Sequence, residues 1–285
     1  MLINLNEMLR MAERSRSAIG SFNVYNVESL QAVMKASAKA ASPVIVSFGE
    51  SYDSHMPLEG MAELVKLYAV SSEIPVALHL DHSKHMETIL RALKAGFTSV
   101  MYDGSANPLE ENISRSRYVA EIAHALNASV EGELGYMNPE DGTPASVGGE
   151  ESYTTPGDAK RYAEEAGADA LAIAIGNAHG IYKGTPSLDL QRLAAIRDAV
   201  AIPLVLHGSS GIPMDLLQKA IRGGIRKINI NTEVSTTGVR AAREFLERHH
   251  DPNTRFEAVA KEAEKRMEAV VEDYIACFRQ QALGG

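Results

Sequence analysis

The chain has 285 residues, a net charge of −9 and 45% hydrophobic residues. That composition supports a full apolar core and excludes a disordered chain. The acidic balance argues against nonspecific binding to nucleic acid or to acidic membranes, which need a basic surface. The single cysteine, Cys277, excludes a disulfide framework and all but excludes a thiolate metal site.

The first sixteen residues are amphipathic, with charges of both signs, and no run reaches transmembrane length. A cytoplasmic protein is the expectation. From there a short apolar run followed by a helical pattern recurs. Strands are predicted over 19–24, 43–48, 75–80, 98–102, 128–134, 170–175, 203–206 and 227–230. Helices are predicted over 28–41, 60–71, 86–95, 109–126, 158–166, 188–199 and 213–222, then 233–250 and 256–281. The strands are apolar throughout, as a parallel sheet covered on both faces requires. Eight such units predict an α/β fold, a single (β/α)8 TIM barrel over 1–285 with an extra C-terminal helical segment. A doubly wound open sheet is the alternative. The Gly/Pro-rich stretch 135–156 lies inside a βα connection, and a loop of that length is usually functional or mobile.

In a barrel the C-terminal strand ends carry the active site. Here they carry Asn23, Ser47, Asp81 with His82, Asp103, Glu133, Gly176-Asn177-Ala178-His179-Gly180, His207-Gly208-Ser209-Ser210-Gly211 and Asn229-Ile230-Asn231-Thr232. Any one of these histidines alone would read equally well as a hydrogen-bonded core residue. His82, His179 and His207 come from widely separated strands to one rim, and three imidazoles with an open fourth position suit catalytic zinc. His79 shares a strand face with Asp81 and reads as its support. His55, His85, His124, His249 and His250 read as surface residues.

On an extended chain Asp81 and His82 point opposite ways, so one can bind metal while the other faces substrate. A carboxylate there suits proton transfer at a reacting carbonyl, or it could simply orient a histidine. The Gly/Ser loop 208–211 and the segment 229–232 occupy the usual barrel phosphate site, where backbone N–H groups converge on an anion, and Lys183 could add a positive charge. The 135–156 loop carries Glu140, Asp141, Glu150 and Glu151, any of which could reach in as a base on loop closure. Physical reasoning gives a zinc barrel acting on a phosphorylated carbonyl compound, without selecting the reaction.

These residues resemble the class II, metal-dependent fructose/tagatose-bisphosphate aldolase family over nearly the whole chain. His79-Leu80-Asp81-His82 resembles its H-x-D-H, and Glu131-Gly132-Glu133-Leu134-Gly135 its E-x-E-L-G. His179-Gly180 with Tyr182-Lys183, then 206–211 and 227–233, follow in the family's order. The resemblance implies an aldehyde-lyase that cleaves a ketose 1-phosphate or 1,6-bisphosphate to dihydroxyacetone phosphate and an aldehyde through a zinc-stabilised enediolate, as in glycolysis.

By the same resemblance His82, His179 and His207 hold Zn2+, with Asp103 and Glu133 as a second metal position. Asp81 transfers the proton at the aldehyde, and Asn229 serves both chemistry and binding. Glu140 is the loop base, with Asp141 the second choice. Ser47, Gly180, Lys183, Gly208, Ser209, Ser210, Asn229, Ile230, Asn231 and Thr232 bind substrate. A monovalent cation (Na+ or K+) sits on backbone carbonyls near Gly180 and Gly208, and the subunits form a homodimer or homotetramer.

The chain departs from the family at Ser83, at Asn138-Pro139 and over 49–58, and it lacks the family's usual C-terminal ending. Arg255 is the one candidate for a distal phosphate. The donor half of the site is therefore legible and the acceptor half is not, so a non-phosphorylated acceptor aldehyde is the alternative. A zinc hydrolase is disfavoured because 23–25 has no H-x-H. A non-catalytic partner subunit is disfavoured because the triad and Asp81 are present.

Overall fold

Eight parallel strands hydrogen-bond in chain order and close into a barrel. The structure is a computed structural model that describes residues 1–135, 152–182 and 184–279. The strands are β1 (Ile19–Asn23), β2 (Val44–Gly49), β3 (Val76–Ser83), β4 (Ser99–Tyr102), β5 (Ser129–Leu134), β6 (Ala170–Ile173), β7 (Leu204–Leu206) and β8 (Ile225–Ile230). The helices are α1 (Leu5–Ser15), α2 (Val27–Lys39), α3 (Leu58–Val70), α4 (Met86–Ala95), α5 (Leu109–Ala125), α6 (Pro156–Glu165), α7 (Leu190–Ala199), α8 (Met214–Arg222), α9 (Thr232–Arg248) and α10 (Phe256–Phe278). This is the predicted (β/α)8 barrel with a C-terminal helix. Most predicted boundaries fall within two residues of the observed ones, and the differences have local causes. Helix α6 begins two residues early because Thr155 caps it, accepting from the Asp158 N–H, with Pro156 in the first turn. In α2, Asn26 and Ser29 cap each other reciprocally, which starts that helix just after the strand-one rim.

The sequence reading leaves out α1. Its buried residues Leu5, Met8, Leu9 and Ala12 recur at helical spacing. They pack on Ile19, Ile45, Ala77, Ala170, Ala172 and Val205, the lower inward-facing residues of five strands. Helix α1 therefore plugs the N-terminal end of the barrel. Burial of one Leu or Met side chain contributes roughly 1.5–3 kcal/mol, so this plug is a substantial part of the core.

Above the plug the barrel interior turns polar. Ser21, Ser47, His79, Ser99, Glu131 and Lys227 are all fully buried. The strand register aligns several of them: Ser47 pairs with His79, and His79 with Ser99. Above that layer lie Asn23, Asp81, Glu133, His207 and Asn229. Helix α10 packs on α9, α2 and α8, and the Ala18 N–H bonds the Phe278 carbonyl. No described helix is long and apolar enough to cross a membrane.

Candidate active site

Strand β3 runs three residues past the expected end of the apolar pattern, through Asp81, His82 and Ser83. His82 has φ +46° and the β3–β4 register shifts there. The two side chains therefore do not part as an extended chain would send them. The left-handed residue breaks the alternation and turns the His82 ring into the barrel mouth beside Asp81. A non-glycine residue in that region carries strain, which often marks a functional position.

The three rim histidines converge. One ligand nitrogen from each of His82, His179 and His207 lies within 4.8 Å of the others. The His82 ring stands edge-on to both His179 and His207, with centroids 4.8 and 4.7 Å away. His82 Nδ1 lies 3.2 Å from Asp103 Oδ2, and His207 Nε2 lies 2.8 Å from Glu131 Oε1. With those outer nitrogens donating to carboxylates, the inner nitrogens of His82 and His207 face each other 2.9 Å apart. Two opposed lone pairs at that distance repel unless a proton or a cation lies between them. Glu133 Oε2 is buried without a hydrogen bond from any described residue, 3.6 Å from His207 Nδ1 and 3.9 Å from His82 Nδ1. Burial and the neighbouring Asp103 push the Glu133 carboxyl well above the usual carboxylate range. His82, Asp103 and Glu133 form a second set of the same kind, again within 4.8 Å. Imidazoles whose outer nitrogens are held by carboxylates, beside an orphaned buried carboxylate oxygen, make a donor set that fits a divalent cation such as zinc.

Asp81 is buried and held from two sides. Asn23 Nδ2 donates to its Oδ2 at 2.9 Å, and Asn229 Nδ2 to its Oδ1 at 3.2 Å. Burial alone would raise its pKa, but His82, Lys227 and His207 around it hold the carboxyl well below the usual range. Asp81 is therefore an oriented, ionised carboxylate at the mouth.

Beneath it lies a network that sequence reasoning missed. The Lys227 ammonium donates to Glu131 Oε1 at 2.9 Å and lies 2.8 Å from Oε2 as an ion pair. It also approaches His79 Nε2 at 3.4 Å, while His79 Nδ1 meets Ser99 Oγ at 2.6 Å. Burial, then Lys227, lower the His79 pKa to about 3, and burial lowers that of His207 to about 4, so both rings are neutral at neutral pH. The available signal was parity. Glu131 shares a strand face with Glu133, and Lys227 shares one with Asn229.

The phosphate-type loops also come together. His179, Gly180, Gly208, Ser209, Ser210, Asn229, Asn231 and Thr232 line one small cavity. Gly208 has φ +58°, and a Cβ there would meet the Ala178 carbonyl oxygen at 2.3 Å, so the loop can approach its neighbour only as glycine. A cleft of about 260 Å³ adjoins the cavity, lined by Tyr52, Gly180, Ile181, Asn231, Thr232, Ser235 and Thr236.

Two expected binders sit elsewhere. Ser47 is one layer lower, its hydroxyl 2.6 Å from that of Ser21. The Ile230 side chain is part of the outer apolar core, leaving only its backbone at the loop. Arg255 is exposed at the start of α10. Lys183, Glu140 and Asp141 lie outside the described residues. The divergent segments meet each other: Glu50 accepts from Ser83 Oγ and from the Lys84 N–H, both at 3.0 Å. The Tyr52 hydroxyl accepts from Asn231 Nδ2 at 2.9 Å.

Comparison with known proteins agrees with this geometry. The family model described as "Fructose-bisphosphate aldolase class-II" matches residues 3–282. A fructose-bisphosphate aldolase of Geobacillus stearothermophilus is 40% identical over 255 residues, covering 88% of each chain. The crystal structure of the YdjI aldolase from Escherichia coli K12 superposes with a TM-score of 0.87 at 35% identity, covering 99% of both chains. That of a putative fructose-1,6-bisphosphate aldolase from Coccidioides immitis gives 0.85 at 27% identity over 96% of each. The chain belongs to the class II fructose-bisphosphate aldolase family, and it is a lyase.

Proposed function

We propose that this family member is zinc-dependent and reversibly cleaves a ketose 1-phosphate or 1,6-bisphosphate to dihydroxyacetone phosphate and an aldehyde. The observation that supports this best is the joining of three elements at one mouth: the histidine cluster, the ionised Asp81 and the Gly/Ser-lined cavity. His82, His179 and His207 would hold the metal, with Asp103 and Glu133 serving a second position about His82. A divalent cation supplies Lewis-acid polarisation of the ketone oxygen and stabilises the negative charge that builds beside it. In the cleavage direction Asp81 takes the proton of the hydroxyl next to the breaking bond, and in synthesis it returns that proton to the aldehyde oxygen. Asn23 and Asn229 aim its carboxylate. The backbone N–H groups of 208–210 and 229–232, with Gly180 and Lys183, hold the ketone phosphate. Glu140 is the proposed base that removes the carbon-bound proton of the donor. Carbonyls near Gly180 and Gly208 would hold a monovalent cation. We assign the activity to the cytoplasm and to a homodimer or homotetramer of single-domain subunits.

Glu50 favours an uncharged acceptor aldehyde as a second reading. It follows Gly49, which pairs with Asp81 across the sheet, and so places a carboxylate on that side of the mouth. The test is proton exchange. Zinc-loaded protein with dihydroxyacetone phosphate in D2O should lose one proton signal of the substrate stereospecifically, and EDTA should stop the loss. Full zinc occupancy with no exchange would refute the function. A panel of phosphorylated and unphosphorylated aldehydes then separates the two acceptor readings.

A further inference from the structure

Two tyrosine hydroxyls stitch the three phosphate-side loops to one another. The Tyr182 hydroxyl accepts the Ala178 N–H at 2.8 Å and donates to the Gly208 carbonyl at 2.8 Å. It thereby joins the loop after β6 to the loop after β7. The Tyr274 hydroxyl, reaching from α10, accepts the Gly211 N–H at 3.4 Å and donates to a Glu233 carboxylate oxygen. It joins the loop after β7 to the first turn of α9. The Glu233 N–H in turn donates to Ser210 Oγ at 3.2 Å. Each phenol thus accepts from one loop and donates to the next, a pattern that fixes relative loop position and does more than fill space. Burial pushes the Tyr182 hydroxyl up to about 12 and that of Tyr274 higher still, so both remain protonated donors at any working pH. The Tyr182 ring also lies against Gly211, 3.9 Å from where a Cβ would stand.

Neither tyrosine lines the small cavity, and one of them comes from the helix that follows the eight βα units. We propose that Tyr182 and Tyr274 are positioning residues that hold the loops around 180, 208–211 and 231–233 in register, so that their backbone N–H groups converge on a substrate phosphate. The proposal rests on the reading of this cavity as the phosphate site. It assigns α10 a part in substrate binding. Backbone donors contribute fully to anion binding only when they are already aimed, because ordering a loop on binding costs affinity.

The test compares Tyr182→Phe, Tyr274→Phe and a control, Tyr162→Phe. Tyr162 is fully buried, as Tyr274 is, but its hydroxyl bonds Ser116 between α6 and α5, away from these loops. Measured on zinc-loaded protein are KM and kcat with dihydroxyacetone phosphate as donor, the inhibition constant of inorganic phosphate, and the melting temperature. Loss of one loop-to-loop bond should weaken both phosphate constants about tenfold, the usual size for a single hydrogen bond. The kcat should stay within about threefold, and Tyr162→Phe should leave both constants at wild-type values while lowering the melting temperature. An active wild type with both rim variants at wild-type KM and phosphate inhibition would overturn the proposal alone. So would an equal rise in the control, since that would mark a general packing effect. A wild type that exchanges no proton and binds no phosphate would overturn the function, and the proposal with it.

Discussion

Replacing Lys227 with Met tests the buried layer under the site. Lys227 and Glu131 are both fully buried and form an ion pair, with a hydrogen bond of 2.9 Å to Oε1. Met keeps most of the side-chain volume but leaves the Glu131 carboxylate in the barrel interior without its cation. Removal of one partner of a buried ion pair costs about 3–5 kcal/mol. Unfolding entropy of roughly 2 cal/mol/K per residue, summed over this chain, is about 0.6 kcal/mol/K, so the melting temperature should fall by ~5–8 °C. The melt is followed by circular dichroism in EDTA, which removes stabilisation by bound metal. The double variant Lys227→Met/Glu131→Gln takes both charges away and leaves the Gln carbonyl to accept from His207 Nε2. It should melt closer to wild type than the single variant does. Because Glu131 fixes the His207 ring, Lys227→Met should also weaken zinc binding about 10–100-fold in a chelator competition. A single variant that melts within 1 °C of wild type, or a double variant in which the two losses simply add, would refute the coupling.

Asp81→Asn keeps the shape and removes the base, so turnover should fall about 10²–10⁴-fold with inhibition by inorganic phosphate unchanged; near-normal turnover would remove Asp81 from proton transfer. Leu9→Ala opens a hole between α1 and the barrel floor and should cost ~2–5 kcal/mol by urea unfolding, against under 1 kcal/mol if α1 were merely laid on the surface. Burial pushes the Cys277 thiol up to about 11. At pH 7.5 iodoacetamide should therefore leave folded protein unlabelled by mass spectrometry and label it fully in urea; rapid labelling of the folded chain would contradict the burial.

The fold was legible because each βα unit carries its own periodicity and because polar residues cluster at every strand end. The Asp81, His82, His179 and His207 cluster was legible for the same reason, since a buried strand end has no structural use for such groups. What escaped depended on three-dimensional pairing. Helix α1 shows its apolar stripe plainly, but nothing local says that the stripe fits the barrel floor. Lys227 reads as an ordinary polar residue opening a strand, and only closure of the barrel sets it against Glu131, 96 positions away. The left-handed backbone at His82 had only a weak signal, because histidine is enriched at positive φ but most histidines are not found there. The roles of Tyr182 and Tyr274 depend on contacts between loops, which pattern reading along one chain does not supply.

The polar middle layer also explains why the site can be both buried and charged. Barrel interiors are normally filled by branched apolar side chains, and such a filling here would leave Asp81 in an apolar well, where its pKa would rise and the base role proposed for it at neutral pH would be lost. His82 first and then Lys227 beneath the mouth lower the Asp81 pKa through space against the effect of burial, while Glu131 offsets the lysine charge and orients His207. His79 sits between them, neutral, with Nε2 3.7 Å from Asp81 Oδ1 and Nδ1 held by Ser99. One buried ion pair thus fixes the ring orientation of a histidine beside it, and its lysine adds to the charge that keeps the carboxylate above it ionised. Below, the apolar plug from α1 closes the floor of the barrel under these charges. The charge state and geometry at the top of the barrel therefore depend on residues one layer down, beneath the mouth.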